Sequence, residues 1–325
     1  RSQLAEPAWA KKAKEGRASD IKPCINCLIG CIDRGMLSHT PIHCTVNPSL
    51  YRFECKPVEK AETRKQVAVV GAGPAGCEAA LTASKRGHQV TIYEKRCIGG
   101  AMIEASKPEN KANIKRLIHY YEDHIMHDPN ITLVKEEVEY ETLVHSGYDA
   151  VIIAVGGKTR ILNVPGIEKN SVIYASDYLN GSTAVTGNTV VVIGGGITGA
   201  ETALELNAEG KKVTIVEMTD AFLANFSSAC QAYLATINET DIKILTGKRL
   251  TAVHENNVIL TDRWGNETTV PADSVVIAAG FTRQNELSDK LEENTDMQVF
   301  NVGDSKRVRQ IYDAIHEGFI AARQI

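Results

Sequence analysis

Residues 67–94 read VAVVGAGPAGCEAALTASKRGHQVTIYE. Val67 to Val70 form the short valine-rich run that a parallel strand covered on both faces requires. Gly71, Gly73 and Gly76 then complete G-x-G-x-x-G. The first glycine permits a tight turn, the second lets a pyrophosphate approach the backbone, and the third lets the following helix pack close to the strand. The start of that helix offers unpaired N–H groups and the positive end of its dipole to phosphate. Glu94 ends the next strand, where a carboxylate meets a ribose hydroxyl. Strand, glycines, helix, strand and acid together predict a dinucleotide-binding βαβ unit rather than a structural glycine turn.

The chain then repeats itself. TVVVIGGGITGAETALELNAEGKKVTIVEM, from Thr189 to Met218, restates the stretch, and Gly194, Gly196, Gly199 and Glu217 stand 123 positions after Gly71, Gly73, Gly76 and Glu94. DSVVIAAG, from Asp273, restates DAVIIAVG, from Asp149, with an offset of 124. A returning strand ends in Gly303-Asp304, and a helix follows from near Arg309. Asp304 suits either a cofactor hydroxyl or a turn. The fold expected is therefore α/β, with two Rossmann-like domains. A first, FAD-binding domain covers residues 65–180 and 281–325, and a second, NAD-binding domain over 181–280 is inserted in it. Glu217 accepts hydrogen bonds from a free 2′-hydroxyl and repels a 2′-phosphate, and MTDAFL after it contains no Arg or Lys, so NADH is expected over NADPH.

Ahead of the first unit runs KPCINCLIGCIDRGMLSHTPIHCTVNP, with Cys24, Cys27, Cys31 and Cys44 spaced C-x2-C-x3-C-x12-C. Three thiols on one tight loop and a fourth returning from a distance can surround one soft metal centre, zinc or iron–sulfur. Paired C-x2-C knuckles typical of structural zinc are missing from the pattern. Ile25, Leu28, Ile29 and Ile32 would give the site an apolar wall. His39 and His43 read as surface residues, and Cys55 as a reserve ligand or free thiol. Residues 1–64 are read as a separate small segment that carries this centre.

The 325 residues carry 36 Lys and Arg against 40 Asp and Glu, a net charge of -4, so no basic footprint points to nucleic acid. No run of 18 apolar residues suggests a membrane span, and the first residues lack a signal peptide's apolar core. With eight cysteines and no secretory signal, a reduced, cytoplasmic setting is expected. A helix is expected over residues 4–16, another over 113–125, and strands over 131–144. Position 1 is not Met, which suggests a fragment or a processed chain.

The cysteine loop directly before VVGAGPAG, with the repeated nucleotide unit, resembles the C-terminal half of the 2,4-dienoyl-CoA reductase, enoate reductase and trimethylamine dehydrogenase group of old yellow enzyme-like NADH:flavin oxidoreductases. In that group an N-terminal FMN barrel precedes this half; here it is absent, and residues 4–21 resemble its last segment. The resemblance implies that Cys24, Cys27, Cys31 and Cys44 hold a [4Fe–4S] cluster. It places Gly71, Gly73, Ala75, Glu94, Lys95, Gly100, Val138, Gly303, Asp304 and Ile311 on FAD, and Gly194, Gly196, Thr198, Gly199 and Glu217 on NADH. It carries over no catalytic side chain, because the substrate-reducing residues of the group lie in the barrel. The implied function is an oxidoreductase half that passes electrons from NADH through FAD and the cluster to an FMN barrel, which reduces an activated C=C bond. A separate electron-acceptor protein is the alternative partner. An amine-dehydrogenase-like chain with ADP in the first site is a further alternative, against which the intact second fingerprint argues, and a zinc-loop assembly module is the non-enzymatic one. Cys77, Cys97 and Cys230 stand alone, unlike the paired cysteines of disulfide reductases.

Overall fold

The computed structural model describes residues 2–50, 57–225 and 227–325. The chain forms two compact units, Arg1–Lys158 with Thr282–Ile325, and Thr159–Phe281. Two short helices, α1 (Ser2–Ala5) and α2 (Trp9–Lys14), open the first unit. The single helix expected over 4–16 is thus broken around Pro7, whose ring nitrogen cannot donate; the Ala8 N–H is taken up by Glu6 Oε1 at 3.1 Å. A π-helical run over Ile29–Leu37 follows. Then come β1 (Gln66–Val70), α3 (Pro74–Arg86), β2 (Gln89–Tyr93), α4 (Met102–Ala105), α5 (Ala112–His127), β3 (Ile131–Val134), α6 (Tyr140–His145) and β4 (Ala150–Ile153). Only the first part of 131–144 is strand. Tyr140, Leu143 and Val144 recur at helical spacing and pack on one core, which turns the remainder into α6.

The chain crosses over on β5 (Gly157–Thr159). The second unit runs through β6 (Val172–Tyr174), α7 (Ala175–Leu179), β7 (Thr189–Ile193), α8 (Ile197–Ala208), β8 (Lys212–Val216) and α9 (Ser228–Asn238). It continues with β9 (Lys243–Leu245), β10 (Lys248–Val253), β11 (Asn257–Asp262), β12 (Glu267–Pro271) and β13 (Ser274–Ile277). The chain returns on β14 (Phe281–Arg283), which pairs with β5, and ends with α10 (Glu286–Asn294), β15 (Gln298–Asn301) and α11 (Ile311–Gln324).

Each unit is built on a five-stranded parallel sheet, in the orders β15-β4-β1-β2-β3 and β6-β13-β7-β8-β9. Four of the five positions in the two orders correspond in chain order, so the sequence repeat is a repeat of topology apart from one edge strand, which comes last in the first unit and first in the second. β6 fills the edge that β15 fills in the first sheet, pairing Val172 with Val275, so the second unit opens at Thr159, ahead of residue 181. Strand alternation sends side chains to opposite faces. Val67 and Val69 join a core shared with α3 and α5, while Ala68 and Val70 face a second core with Leu143. In the other sheet Val190 and Val192 pack under helices, and Val191 and Ile193 pack against the antiparallel β10-β11-β12 sheet through Leu250, Val258 and Leu260. Covering both faces explains why these strands are continuously apolar. No helix among the described residues is long and apolar enough to cross a membrane.

Candidate functional site: two glycine loops and a cysteine pocket

The first loop shows what each glycine is for. A Cβ on Gly71 (φ +99°) would lie 2.4 Å from Ala154 O, and one on Gly76 would lie 1.9 Å from Gly71 O. Both glycines are therefore demanded by the protein's own packing. Gly73 is different. Its backbone is extended, at φ -72° and ψ -175°, and a Cβ there would meet nothing closer than Gly100 Cα at 3.9 Å. No protein atom crowds this position, as the approach of a ligand phosphate requires. Gly100 (φ +53°) closes over Gly73, and Gly99 donates its N–H to Ala72 O at 2.8 Å.

The other expected residues gather round this loop. Glu94, buried, accepts from the Ala72 N–H (2.7 Å) through Oε2 and from the Arg96 N–H (2.7 Å) through Oε1. Lys95 pairs with Glu137, the neighbour of buried Val138. Gly303 lies against Ala75, where an added Cβ would be 3.2 Å from the Ala75 Cβ, and Gly318 of α11 packs on Ala75 O. Asp304 Oδ1 accepts the Arg309 N–H at 2.9 Å, two residues before Ile311 begins α11. The turn role of Asp304 is thus present; burial pushes its carboxyl above the ordinary range, against the pull of Arg309.

The second loop is a copy. Gly194 (φ +123°) approaches Ala278 O and Gly199 approaches Gly194 O, each too closely for a Cβ, while Gly196, extended at φ -80°, has nothing within 4 Å. Glu217 Oε2 accepts from the Gly195 N–H (2.7 Å), and Oε1 accepts from the N–H and hydroxyl of Thr219 (both 2.8 Å). Thr198 is exposed in the first turn of α8. Beside this acid the fold brings something residues 218–223 do not contain. Arg263, from the turn joining β11 and β12, reaches Asp220 Oδ1 at 2.8 Å. The guanidinium is engaged by that carboxylate and stacks on Trp264, 4.8 Å from its ring centre.

Cys24, Cys27, Cys31 and Cys44 line a single small pocket, walled by Leu4, Ile25, Leu28 and Val46. Ile29 and Ile32, expected in that wall, do not line it. Asn26 (φ 56°) and Leu28 (φ 62°) both adopt left-handed backbone, which coils the loop back on itself; each such residue is strained by roughly 1–3 kcal/mol. The Asn26 N–H donates to Cys24 Sγ at 3.4 Å, and backbone N–H groups of Ile29 and Val46 are directed to Cys27 and Cys44. Each N–H is two residues beyond its sulfur, an arrangement that favours thiolate. Burial works against these groups: it raises the Cys27 thiol and pushes that of Cys44 up to about 11. Among the described residues no three His, Cys, Asp or Glu converge tightly enough to hold a single ion. Four sulfurs round one zinc, with bonds of about 2.3 Å, would have to stand only about 3.8 Å apart. Cys55 lies outside the described residues.

Two connections fasten this segment to the first nucleotide unit, and neither is readable from motifs. Lys22, two residues before Cys24, pairs with Glu78 of α3 at 2.5 Å, and Tyr121 OH donates to the same carboxylate oxygen at 2.8 Å. His43 is half-buried rather than on the surface. Its ring stacks with Tyr312 and His316 of α11, and its Nδ1 shares a hydrogen bond with Tyr312 OH at 2.7 Å. His39 is exposed. Cys77 is fully buried, where desolvation raises its thiol far above the ordinary value, and its S–H faces Ala72 O at 3.1 Å. It packs behind the loop.

The model of the pyridine nucleotide-disulphide oxidoreductase family matches residues 65–318. An NADH oxidase of Thermoanaerobacter brockii is 37% identical over 333 residues, across 100% of this chain and 51% of that protein. A cinnamate reductase of Clostridium sporogenes is 31% identical, across 100% of this chain and 49% of that protein. A solved 2-naphthoyl-CoA reductase complex matches with a TM-score of 0.90 and 30% identity, over 100% of this chain and 50% of that one. The chain thus spans about half the length of these relatives. It is a member of the pyridine nucleotide-disulphide oxidoreductase family, and it corresponds to the C-terminal, nucleotide-binding half of the 2,4-dienoyl-CoA reductase, enoate reductase and trimethylamine dehydrogenase group.

Proposed function

We propose that this chain is the electron-transfer half of an NADH-dependent flavin oxidoreductase. FAD occupies the first unit, NADH the second, and a [4Fe–4S] cluster the cysteine pocket. When bound, these groups carry a hydride from NADH to FAD and then single electrons through the cluster to an FMN barrel that reduces an activated C=C bond. The chain's own residues bind, orient and shield. Gly73 and Gly196 leave room for pyrophosphates, and Glu94 and Glu217 present lone pairs to ribose hydroxyls. Leu4, Ile25, Leu28 and Val46 give the cysteines an apolar wall.

The observation that carries the reading is the placement of the cysteines. Cys24, Cys27 and Cys44 pack against the same core as Ala72 and Ala75 of the first glycine loop. The spacing C-x2-C-x3-C-x12-C, which lacks the paired knuckles of structural zinc, favours a cluster over a single zinc. Relatives twice as long supply room for a barrel.

The test is anaerobic purification followed by titration. The protein should be yellow-brown, with flavin and about four irons per chain. NADH should bleach the flavin faster than NADPH does, because Glu217 repels a 2′-phosphate. A colourless protein that contains zinc and no iron would sink the proposal. Gly196→Val provides a sharper check. Its extended backbone accepts valine, and a Cβ there has no protein atom within 4 Å. Flavin content and melting temperature should stay as in the parent, while the apparent affinity for NADH falls about 100-fold, or ~2.7 kcal/mol. Gly73→Val should instead remove the flavin itself from a folded chain.

A further inference from the structure

His316 is a buried imidazole on α11, with 2% of its surface exposed, and the nucleotide reading gives it no role. Its Nε2 lies 2.9 Å from the carbonyl oxygen of Cys44. A carbonyl only accepts, so Nε2 carries the proton and donates. The ring is stacked on Tyr312, one helical turn earlier, with centres 4.1 Å apart. Tyr312 OH in turn meets His43 Nδ1, on the residue before Cys44. Two side chains of α11 therefore grip consecutive residues of the arm that brings back the fourth cysteine. On its other side the arm rests on Gly30, where His43 N–H donates to Gly30 O at 2.6 Å. α11 is the helix that begins at Ile311, seven residues beyond Asp304, and it packs on α3 behind the first glycine loop through Gly318.

We propose that His316 and Tyr312 are positioning residues for Cys44, which fix the fourth cluster ligand from the helix that also backs the flavin site. The inference rests on the cluster reading above. The arm bearing this ligand has no regular secondary structure of its own and is held on one side by Gly30; the buried imidazole hydrogen-bonded to the Cys44 carbonyl holds it from the other. Groups that orient metal ligands in this way matter to the metal nearly as much as the ligands do. The arrangement also joins the two sites mechanically, since any shift of α11 at its Ile311 end is felt at the Cys44 carbonyl.

The experiment compares His316→Leu, His316→Gln and Tyr312→Phe in the full chain, anaerobically loaded with flavin and iron–sulfur. His316→Leu removes the donor; His316→Gln can restore an N–H to the Cys44 carbonyl. Iron release to a chelator should rise about 10- to 100-fold in His316→Leu and fall back towards the parent in His316→Gln. Tyr312→Phe, which keeps the stacked ring and loses only the hydroxyl, should show a smaller rise. The electron paramagnetic resonance signal of the reduced cluster should shift in His316→Leu, while bleaching of the flavin by NADH keeps its parental rate. Unchanged iron release and an unchanged signal in His316→Leu would overturn the inference. So would iron loss that merely tracks a fall in the melting temperature of the iron-free protein, since that marks a general structural role. A parent chain that takes up zinc but no iron–sulfur would defeat the cluster reading itself, and is distinguished by its metal content alone.

Discussion

Gly30→Ala should leave a folded, flavin-containing protein that has lost most of its iron. The reason is steric and local. A Cβ on Gly30 would stand 2.8 Å from His43 O, 2.9 Å from His43 C and 3.2 Å from Cys44 Cα. All three are backbone atoms, so no side-chain rotation relieves the clash, and the arm bearing Cys44 must move away from Cys24, Cys27 and Cys31. Gly35→Ala is the matched control. Its Cβ would also find an atom at 2.8 Å, but that atom is Ile42 Cγ2, the end of a side chain that can turn aside. Iron retention should therefore drop at least about tenfold for Gly30→Ala, in line with losses on disturbing ligand orientation, and little for Gly35→Ala. Iron and flavin assays on desalted protein read the result directly. Equal iron in the two variants would mean that the arm does not depend on its contact with Gly30.

Glu78→Ala should destabilise the first unit by about 3–5 kcal/mol, the range for removing one partner of a buried ion pair. The Lys22 and Glu78 side chains are only 12% and 9% exposed, so solvent screens little of the loss. The variant leaves the Lys22 ammonium without its carboxylate, and the buried Tyr121 hydroxyl without its acceptor. Lys22→Met/Glu78→Leu/Tyr121→Phe removes all three polar groups together. It should recover most of the stability, because an apolar replacement of a buried pair is often neutral or better. Denaturant unfolding of flavin-loaded protein reads both. The single variant should also shed iron, since Lys22 anchors the chain two residues before Cys24. If the single and triple variants were equally unstable, the ion pair would not be what matters there.

Much of the architecture could be read from residues alone, because it depends on short-range sterics. G-x-G-x-x-G works through the turn at Gly71 and the contact of Gly76 with Gly71 O, five residues apart, and a 123-residue echo of that local pattern repeats the local structure. The acids were legible for the same reason. Spacing along one βαβ unit carries Glu94 to the Ala72 N–H and Glu217 to the Gly195 N–H. Local patterns misled where two of them competed. Residues 140–145 have strand-forming residues, but Tyr140, Leu143 and Val144 find a common core at helical spacing. Pro7 was acceptable as a first-turn residue and instead separates two helices.

The sequence by itself determined the α/β class, the pair of nucleotide units, their acids and the set of four cysteines, since each rests on contacts within a few tens of residues. Tertiary structure alone decided what holds these parts together. His316 meets Cys44 from 272 positions away, Tyr312 meets His43 from 269, Glu78 meets Lys22 from 56, and Arg263 meets Asp220 from 43. No spacing rule links such partners, because their meeting depends on where the finished sheet and its helices place the chain ends. Gly30 belongs with them: nothing local requires a glycine there, and only the returning Cys44 arm leaves no room for a Cβ.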